Sequence, residues 1–145
     1  MTAIENMRRI LTEAFSEGKL DVLDDLLHPD FMNHNAPPGV APGIDGVKWV
    51  IEMERRGFPD MTYEVLHEAE VGDLVYQHAL VRGTHLGPIF GVAPTGRPVE
   101  FREMHVARVR DGRCIEHWGV SETSKVWVQI GKTAPAPHPD QAAAR

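Results

Sequence analysis

The sequence predicts an α+β protein in which a curved, mixed or antiparallel sheet is wrapped by about three helices and encloses a pocket. Two patterns predict it. Apolar residues recur at helical spacing within the first 56 residues, and they alternate with polar residues over much of residues 63–121. Helices that precede strands in this way are typical of α+β folds, with the helices on one face of an antiparallel sheet. The concave face of a strongly curved sheet either fills with side chains or holds a ligand.

Three helices are predicted in the first part of the chain. Thr2 and Glu5 have the spacing of a capping box, and Gly18 is expected to end the helix that they begin. A second helix is expected from about Leu20 to Leu27, because Pro29 disfavours helical backbone before it. A loop rich in proline and glycine follows at 33–43, and a third helix is expected over 44–56.

Strands are predicted over most of the remaining chain. The turn Asp111-Gly112 is a strong hairpin signal. Residues 85–90 are expected to form a further strand or a bend. Ser121 is expected to cap a final short helix that Gly131 ends. The predicted strands cover 63–69, 74–84, 99–110 and 113–121, and the predicted final helix covers 122–130.

Composition narrows the possible functions. The chain has 145 residues and a formal net charge of −6, and its basic residues are scattered, so no nucleic-acid partner is expected. No apolar run is long enough for a membrane span, and no signal-peptide core is visible, so we expect a cytoplasmic protein. We expect one domain over residues 1–131 and a disordered tail rich in proline and alanine over residues 132–145.

No motif for a metal, a nucleotide or another cofactor is recognisable. Cys114 is the single cysteine, and its place in a predicted strand makes a buried, inert thiol the expectation. A metal site assembled from His34, His85 and His105 is the weaker alternative, since no zinc-type spacing is present. These features favour proton transfer without a cofactor.

Glu103 and His105 are the predicted catalytic residues. They lie two residues apart in a predicted strand, on the same face as Phe101, Ala107 and Val109. A carboxylate and an imidazole at this spacing are roughly 7 Å apart, so both can reach one small molecule. The other face of the strand carries three arginines and is the better candidate for contact with water. The alternative is that the Glu103 face is the exposed one.

Six further residues are candidates for contact with a substrate. Each also has a structural interpretation: a loop histidine in a turn, a histidine satisfied in the core, a tryptophan that anchors a helix, or a glycine at a close contact. Trp118 is expected to pack under a helix. The six candidates are Asn33, His34, Trp49, His85, His117 and Gly119.

Several short segments, in their order and spacing, resemble the SnoaL-like polyketide (ester) cyclases of the nuclear transport factor 2-like, ketosteroid isomerase-like superfamily. The resemblance covers about residues 3 to 131. It implies a cone-shaped α+β barrel with a deep, largely apolar pocket, commonly in a homodimer. The segments are Phe31-Met32-Asn33-His34, Gly43 to Val47, Phe58-Pro59-Asp60, Gly72-Asp73, Gly83-Thr84-His85, Pro94-Thr95-Gly96 and Arg108 to Trp118.

The resemblance also implies an activity, namely intramolecular aldol closure of an apolar carbonyl compound without a cofactor. His105 matches the family's pocket histidine, and Glu103 stands where a polar pocket residue is usual. The family's catalytic aspartate would follow Trp118 directly, but this chain has Gly119 there. The departure leaves the standard mechanism without its acid and base. Either Glu103 or His105 takes over the proton transfer, or the substrate is different, or activity was lost and the pocket only binds.

Three hypotheses follow. The first is a cyclase-like enzyme that uses Glu103 and His105 on an apolar, carbonyl-bearing small molecule. The second is a binding protein that lost activity with the aspartate, as Gly119 suggests. The third is a hydrolase or dehydratase in which Glu103 or His34 activates water. A homodimer is also expected from the resemblance. Its interface could include Met104, Val106 and Trp118, although these residues could instead lie beneath helices of the same chain.

Overall fold

The computed structural model describes residues 1–132, so most of the predicted tail lies outside the described residues. Five strands and four α-helices make up this part of the chain. The elements are α1 (Ala3–Arg9), which continues as a π-helical segment (Ile10–Phe15), α2 (Val22–Leu26), β1 (Leu27–Asn33), α3 (Ile44–Gly57), β2 (Thr62–Val71), β3 (Leu74–Thr84), β4 (Pro98–Arg110), β5 (Arg113–Ser121) and α4 (Thr123–Gln129). None of these helices is long and apolar enough to cross a membrane.

The helix signals at both ends of the first helical region are confirmed. The Thr2 side chain accepts from the backbone N–H of Glu5, and the Glu5 carboxylate accepts from that of Thr2, which completes the capping box. Gly18 follows the helical region with φ of +72°, a conformation that glycine adopts without a steric penalty. The apolar side chains of this helical region, from Met7 to Phe15, pack in the core together with residues of the sheet.

The sheet is mixed and curved, with strand order β1-β5-β4-β3-β2, which confirms the predicted α+β class. Strands β2 to β5 form an antiparallel meander, and β1 pairs in parallel with β5. Asp111 and Gly112, with φ of +52° and +76°, form the tight turn between β4 and β5. The alternation of the sequence therefore located four of the five strands.

Strand β1 was not predicted from the sequence. The chain becomes extended at Leu27, where the second helix was expected still to continue. Pro29 lies where the pairing of β1 with β5 shifts register, between Leu27 and Met32. Proline is tolerated at such an irregularity in an edge strand, since no ladder hydrogen bond from its nitrogen is required there. Leu27 and Phe31 still bury their side chains.

Of the two alternatives for residues 85–90, a strand or a bend, the structure has the bend: the chain turns back at an isolated bridge between Ile89 and Val92, with Phe90 at a φ of +54° between them. One other expectation about secondary structure is wrong. Ser121 does not cap the last helix, since it is still paired within β5 and Glu122 precedes α4 without a side-chain capping bond.

Neither of two tryptophans lies where the sequence suggested. The side chain of Trp49 is not a core anchor, because the residue is 47% exposed on α3. Trp118 does not pack under a helix. It lies opposite Val106 on the face of the sheet turned away from the helices, and its ring stacks on that of His34 with centroids 4.9 Å apart.

Candidate active site

A cavity lies between the helical layer and the inner face of the sheet. It contains about 540 Å³ of empty space, part of it open to solvent. Its wall is mostly apolar, and within residues 1–132 four polar side chains line it: Asn33, Gln77, His105 and His117. The apolar part includes Met7, Leu11, Phe15, Phe31, Val47 and Ala107.

The register of β4 and β5 brings two of these histidines together. His105 lies opposite Gly119, and His117 lies opposite Ala107, so the two imidazoles are diagonal neighbours on the inner face. A Cβ atom at Gly119 would lie 3.0 Å from Cε1 of His117 and 3.2 Å from Nδ1 of His105. The absence of a side chain at Gly119 therefore leaves room for the histidine pair.

A chain of hydrogen bonds fixes the orientation of both imidazoles. The backbone N–H of Asn35 donates to Oδ1 of Asn33 at 3.0 Å, which identifies that atom as the amide oxygen. Nδ1 of His117, 2.8 Å from the same oxygen, must therefore donate to it. Nε2 of a neutral His117 is then an acceptor, and Nδ1–H of His105 donates to it at 2.8 Å.

His117 remains neutral in this arrangement. Burial, followed by the charges of His105 and His34, lowers the pKa of His117 to about 3. A neutral imidazole can donate at one nitrogen and accept at the other, as the contacts with Asn33 and His105 require. His117 thus holds His105 in one tautomer, with Nε2 of His105 left to interact elsewhere.

Nε2 of His105 faces Glu103. It lies 3.4 Å from Oε1 of the carboxyl group, and the two side chains are 16% and 11% exposed. The contact is not a well-formed hydrogen bond, and Nε2 is buried without any other partner. The structure therefore places the Glu103 carboxyl group beside an incompletely bonded nitrogen of His105, and His105 lines the cavity.

The sequence reasoning missed a second acidic side chain, which lies on α3. Glu54 on α3 accepts a hydrogen bond from the Tyr63 hydroxyl at 3.3 Å. Burial and the charge of Glu103 raise the pKa of Glu54 to about 8. Glu54 follows Val47 and Ile51 on the buried side of α3, so a carboxylate at the end of an apolar stripe was the available signal.

Gln77 is the other polar residue that the sequence reasoning missed. Gln77 is two residues from the buried Val75 and from the buried Ala79 in β3, so it lies on the same inner face of the sheet. It is directly opposite His105 in β4. The side-chain amide donates to Glu68 at 3.3 Å. An amide within a run of inward-facing apolar residues was the signal that could have identified it.

His34 is not at the cavity. Its ring lies on the outer side of the sheet, where Nε2 is 2.9 Å from the Glu116 carboxylate and the ring stacks on Trp118. The hydrogen bond from His34, together with Arg108, lowers the pKa of Glu116. His34 is therefore not placed to activate a water inside the cavity.

His85 and Trp49 also lie away from the cavity. His85 is fully buried in the loop after β3, where Nδ1 is 2.9 Å from the Thr95 hydroxyl and the ring packs near Phe58. Trp49 is on the solvent side of α3. Of the eight residues predicted for the site, the structure brings Asn33, His105 and His117 to the cavity wall, with Glu103 and Gly119 in contact with the imidazoles.

Cys114 is buried as expected, although it lines the cavity. Its thiol donates to the Glu116 backbone carbonyl at 3.3 Å, and burial raises its pKa to about 12. The nucleophilic thiolate is therefore disfavoured. Among residues 1–132, no three histidine, cysteine, aspartate or glutamate side chains are grouped in a way that could hold a metal ion.

The helix order, the curved mixed sheet and the cavity at its concave face define a nuclear transport factor 2-like α+β fold. The family model for SnoaL-like polyketide cyclases matches residues 5–130. The chain therefore belongs to the SnoaL-like polyketide cyclase family, and the resemblance inferred from the sequence is confirmed.

Characterised relatives share modest sequence identity over most of the chain. Nogalonic acid methyl ester cyclase of Streptomyces nogalater is 27% identical over 115 residues, which are 74% of this chain and 81% of the relative. Aklanonic acid methyl ester cyclase AcmA of Streptomyces galilaeus is 27% identical over 135 residues, or 88% and 90%. The crystal structure of IdmH from Streptomyces antibioticus is 36% identical, with a TM-score of 0.80, over 90% of this chain and 99% of that one.

Proposed function

We propose that the protein is a cofactor-independent cyclase that closes a ring in an apolar, carbonyl-bearing polyketide by proton transfer. The observation that carries the proposal is the hydrogen-bond chain from Asn33 through His117 to His105, which ends beside Glu103 at an apolar cavity. The ester cyclases among the relatives support the same class of substrate.

The proposed reaction is an intramolecular aldol addition. A base removes a proton from a carbon next to a carbonyl group, and the resulting enolate carbon attacks a second carbonyl carbon of the same molecule. One carbon–carbon bond forms, the attacked carbonyl becomes an alkoxide, and the alkoxide takes up a proton. The product is an isomer of the substrate, so no oxidant, reductant or cofactor is required.

Glu103 and His105 are proposed to move these protons as a pair. His105 lines the cavity and is the group that a bound substrate would meet, while Glu103 lies behind it at Nε2. The 3.4 Å contact between Nε2 and the carboxyl group allows a proton to pass between them, so we propose that the pair accepts one proton and returns it. His117 is proposed as a positioning residue, because it holds His105 through Nδ1.

Gly119 explains why the pair is needed. The family's aspartate is missing, and the two imidazoles occupy the space next to the glycine. We propose that Glu103 and His105 take over the acid and base steps that a carboxylate at this position would perform.

The test uses aklanonic acid methyl ester and nogalonic acid methyl ester as substrates. Conversion to a product of equal mass and different chromatographic retention is expected with the wild type. His105→Ala and Glu103→Gln should each lower kcat/KM by about 10²-fold or more, the range typical of a lost general acid or base. The matched control is Glu100→Gln, an exposed carboxylate on β4 that pairs with Arg82. Full activity in both site variants would refute the assignment.

A binding protein without turnover is the second candidate, and Gly119 is the observation that favours it. This hypothesis predicts that the wild type binds these esters, as measured by calorimetry, but does not convert them. It further predicts that Gly119→Asp gains turnover. Turnover by the wild type would exclude it.

We also propose a homodimer that forms through the outer face of the sheet. This face, defined by Tyr76, Met104, Val106, Trp118 and Val120, is formed by cross-strand neighbours in β3, β4 and β5. Met104 is 49% exposed and Val120 68%. Apolar residues that form a continuous exposed patch are typical of an interface between copies.

A further inference from the structure

Gln77 is a buried polar residue of the cavity wall that the proposed mechanism does not use. It is 4% exposed and lies in β3 between the inward-facing Val75 and Ala79. Its side chain lines the cavity, whose wall is mostly apolar. Burying an amide among apolar groups costs free energy unless its nitrogen and oxygen find hydrogen-bond partners. The partners of this amide therefore indicate whether the residue serves the fold alone.

The nitrogen of the Gln77 amide is held by an ion pair. The Glu68 carboxylate of β2 accepts from Nε of Arg8 on α1 at 2.8 Å, and its other oxygen lies 3.3 Å from Nε2 of Gln77. An ionised carboxylate only accepts hydrogen bonds, so the atom of Gln77 that faces it is the amide nitrogen. The amide oxygen Oε1 therefore faces away from Glu68.

This amide oxygen is open to the cavity. Among residues 1–132, no donor makes a hydrogen bond with Oε1 of Gln77, and Oε1 is not one of the completely buried atoms that lack a partner. Oε1 therefore borders empty space although the residue as a whole is buried, and the space that Gln77 lines is the cavity. The side chain thus presents a hydrogen-bond acceptor to a molecule bound there.

Oε1 of Gln77 is not part of the hydrogen-bond chain that orients His105. That chain engages Oδ1 of Asn33 and both ring nitrogens of His117, so these atoms are not free to bind a ligand. Gln77 lies directly opposite His105 in the pairing of β3 with β4, and the side chains of such a pair are neighbours. A ligand group bound at Oε1 would therefore lie close to the imidazole.

We propose that Gln77 is a substrate-binding residue whose amide oxygen accepts a hydrogen bond from a hydroxyl group of the polyketide and thereby fixes the substrate beside His105. The role in turnover rests on the proposed cyclase function. The inference narrows the substrate class to apolar carbonyl compounds that also carry a hydroxyl group. A compound without this hydroxyl is selected against, because it covers Oε1 and leaves it without a partner.

The first test measures binding and needs no turnover. The probes are 2-naphthol and 2-methylnaphthalene, which share a ring system and nearly the same shape, but only the naphthol has an O–H donor. Gln77→Leu should weaken binding of 2-naphthol about threefold to tenfold more than binding of 2-methylnaphthalene, the effect of one hydrogen bond. Gln129→Leu changes a glutamine of α4 outside the cavity and should leave the ratio of the two dissociation constants unchanged. Fluorescence titration measures these constants.

A second variant keeps the test decisive if Gln77→Leu does not fold. Gln77→Met preserves the length of the side chain and removes the acceptor, so it should change the ratio in the same direction. If the residue only supported Glu68, its loss would weaken both probes by the same factor. Equal factors for the two probes in whichever variant folds, or a wild type that binds neither probe, would overturn the proposal.

The second test uses the kinetics with the two methyl esters. Gln77→Leu should raise KM about threefold to tenfold and leave kcat within about twofold, because the hydrogen bond is present in both the bound substrate and the transition state. A lower kcat at unchanged KM would contradict the binding role. If the wild type converts neither ester, the cyclase proposal fails, while the titration with the two probes still decides the role of Gln77.

Discussion

At the scale of single residues, the candidate site depends on a neutral His117. Its two ring nitrogens connect an amide oxygen of β1 to an imidazole of β4, and a second proton on the ring would break the contact with His105. The same burial that keeps the ring neutral makes the folded protein sensitive to acid. The site and the stability of the fold are therefore linked through one side chain.

His117 should contribute to acid unfolding. Its folded-state pKa of about 3 lies below the ordinary 6.5, so the unfolded chain binds the extra proton between these values. The contribution is complete above pH 6.5 and is lost as pH falls toward 3. Between pH 7 and 4 we expect the wild type to lose about 2–4 kcal/mol of unfolding free energy from this group. Urea titrations across this range measure the loss.

His117→Gln should show a weaker dependence of unfolding free energy on pH over the same interval, whatever its stability at pH 7. His28→Gln, outside the cavity, is the control and should behave like the wild type. Parallel curves for His117→Gln and the wild type would contradict the neutral, buried state of the ring.

At the scale of secondary structure elements, α3 needs a close approach to the preceding loop. A Cβ atom at Gly46 would lie 1.7 Å from the backbone oxygen of Ala41, so the first turn of α3 fits there only without a side chain. This contact seats the helix whose later turns carry Ile51 and Glu54. Gly46 therefore fixes the start of the helix that carries Glu54.

Gly46→Ala should destabilise the protein by about 2–4 kcal/mol, because backbone must move to relieve the clash. Gly43→Ala is the matched control. A Cβ atom there has its nearest neighbour at 4.0 Å, and the change should cost about 1 kcal/mol or less. Chemical denaturation measures both values, and equal losses in the two variants would contradict the packing that the structure shows.

The elements differ in how well the sequence predicted them. Strands β2 to β5 alternate regularly and are joined by glycine-containing turns or a loop, so local patterns located them. Strand β1 has Pro29 and Asp30 at its centre, and its stability comes from pairing with β5, more than 80 residues further along the chain. A local pattern contains no information about such a partner.

At the scale of the whole molecule, the uncovered outer face gives a prediction about assembly. The double variant Met104→Lys/Val120→Lys places two charges in the exposed apolar patch and should convert the proposed dimer to a monomer. Sedimentation velocity measures the mass. Val71→Lys, an exposed valine at the end of β2, is the control and should leave the dimer intact. A wild-type monomer, or a dimer that survives the double substitution, would refute this interface.

The sequence by itself determined the fold class, most strand positions and the inner face of β4, because these follow from the alternation of polar and apolar residues along one segment. That pattern was sufficient to select Glu103 and His105. Only the tertiary structure decided that Glu54 meets Tyr63, that Asn33 orients His117, and that His34, Trp49 and His85 lie elsewhere. Periodicity identifies the face on which a side chain lies, whereas long-range packing determines which residues that face contacts.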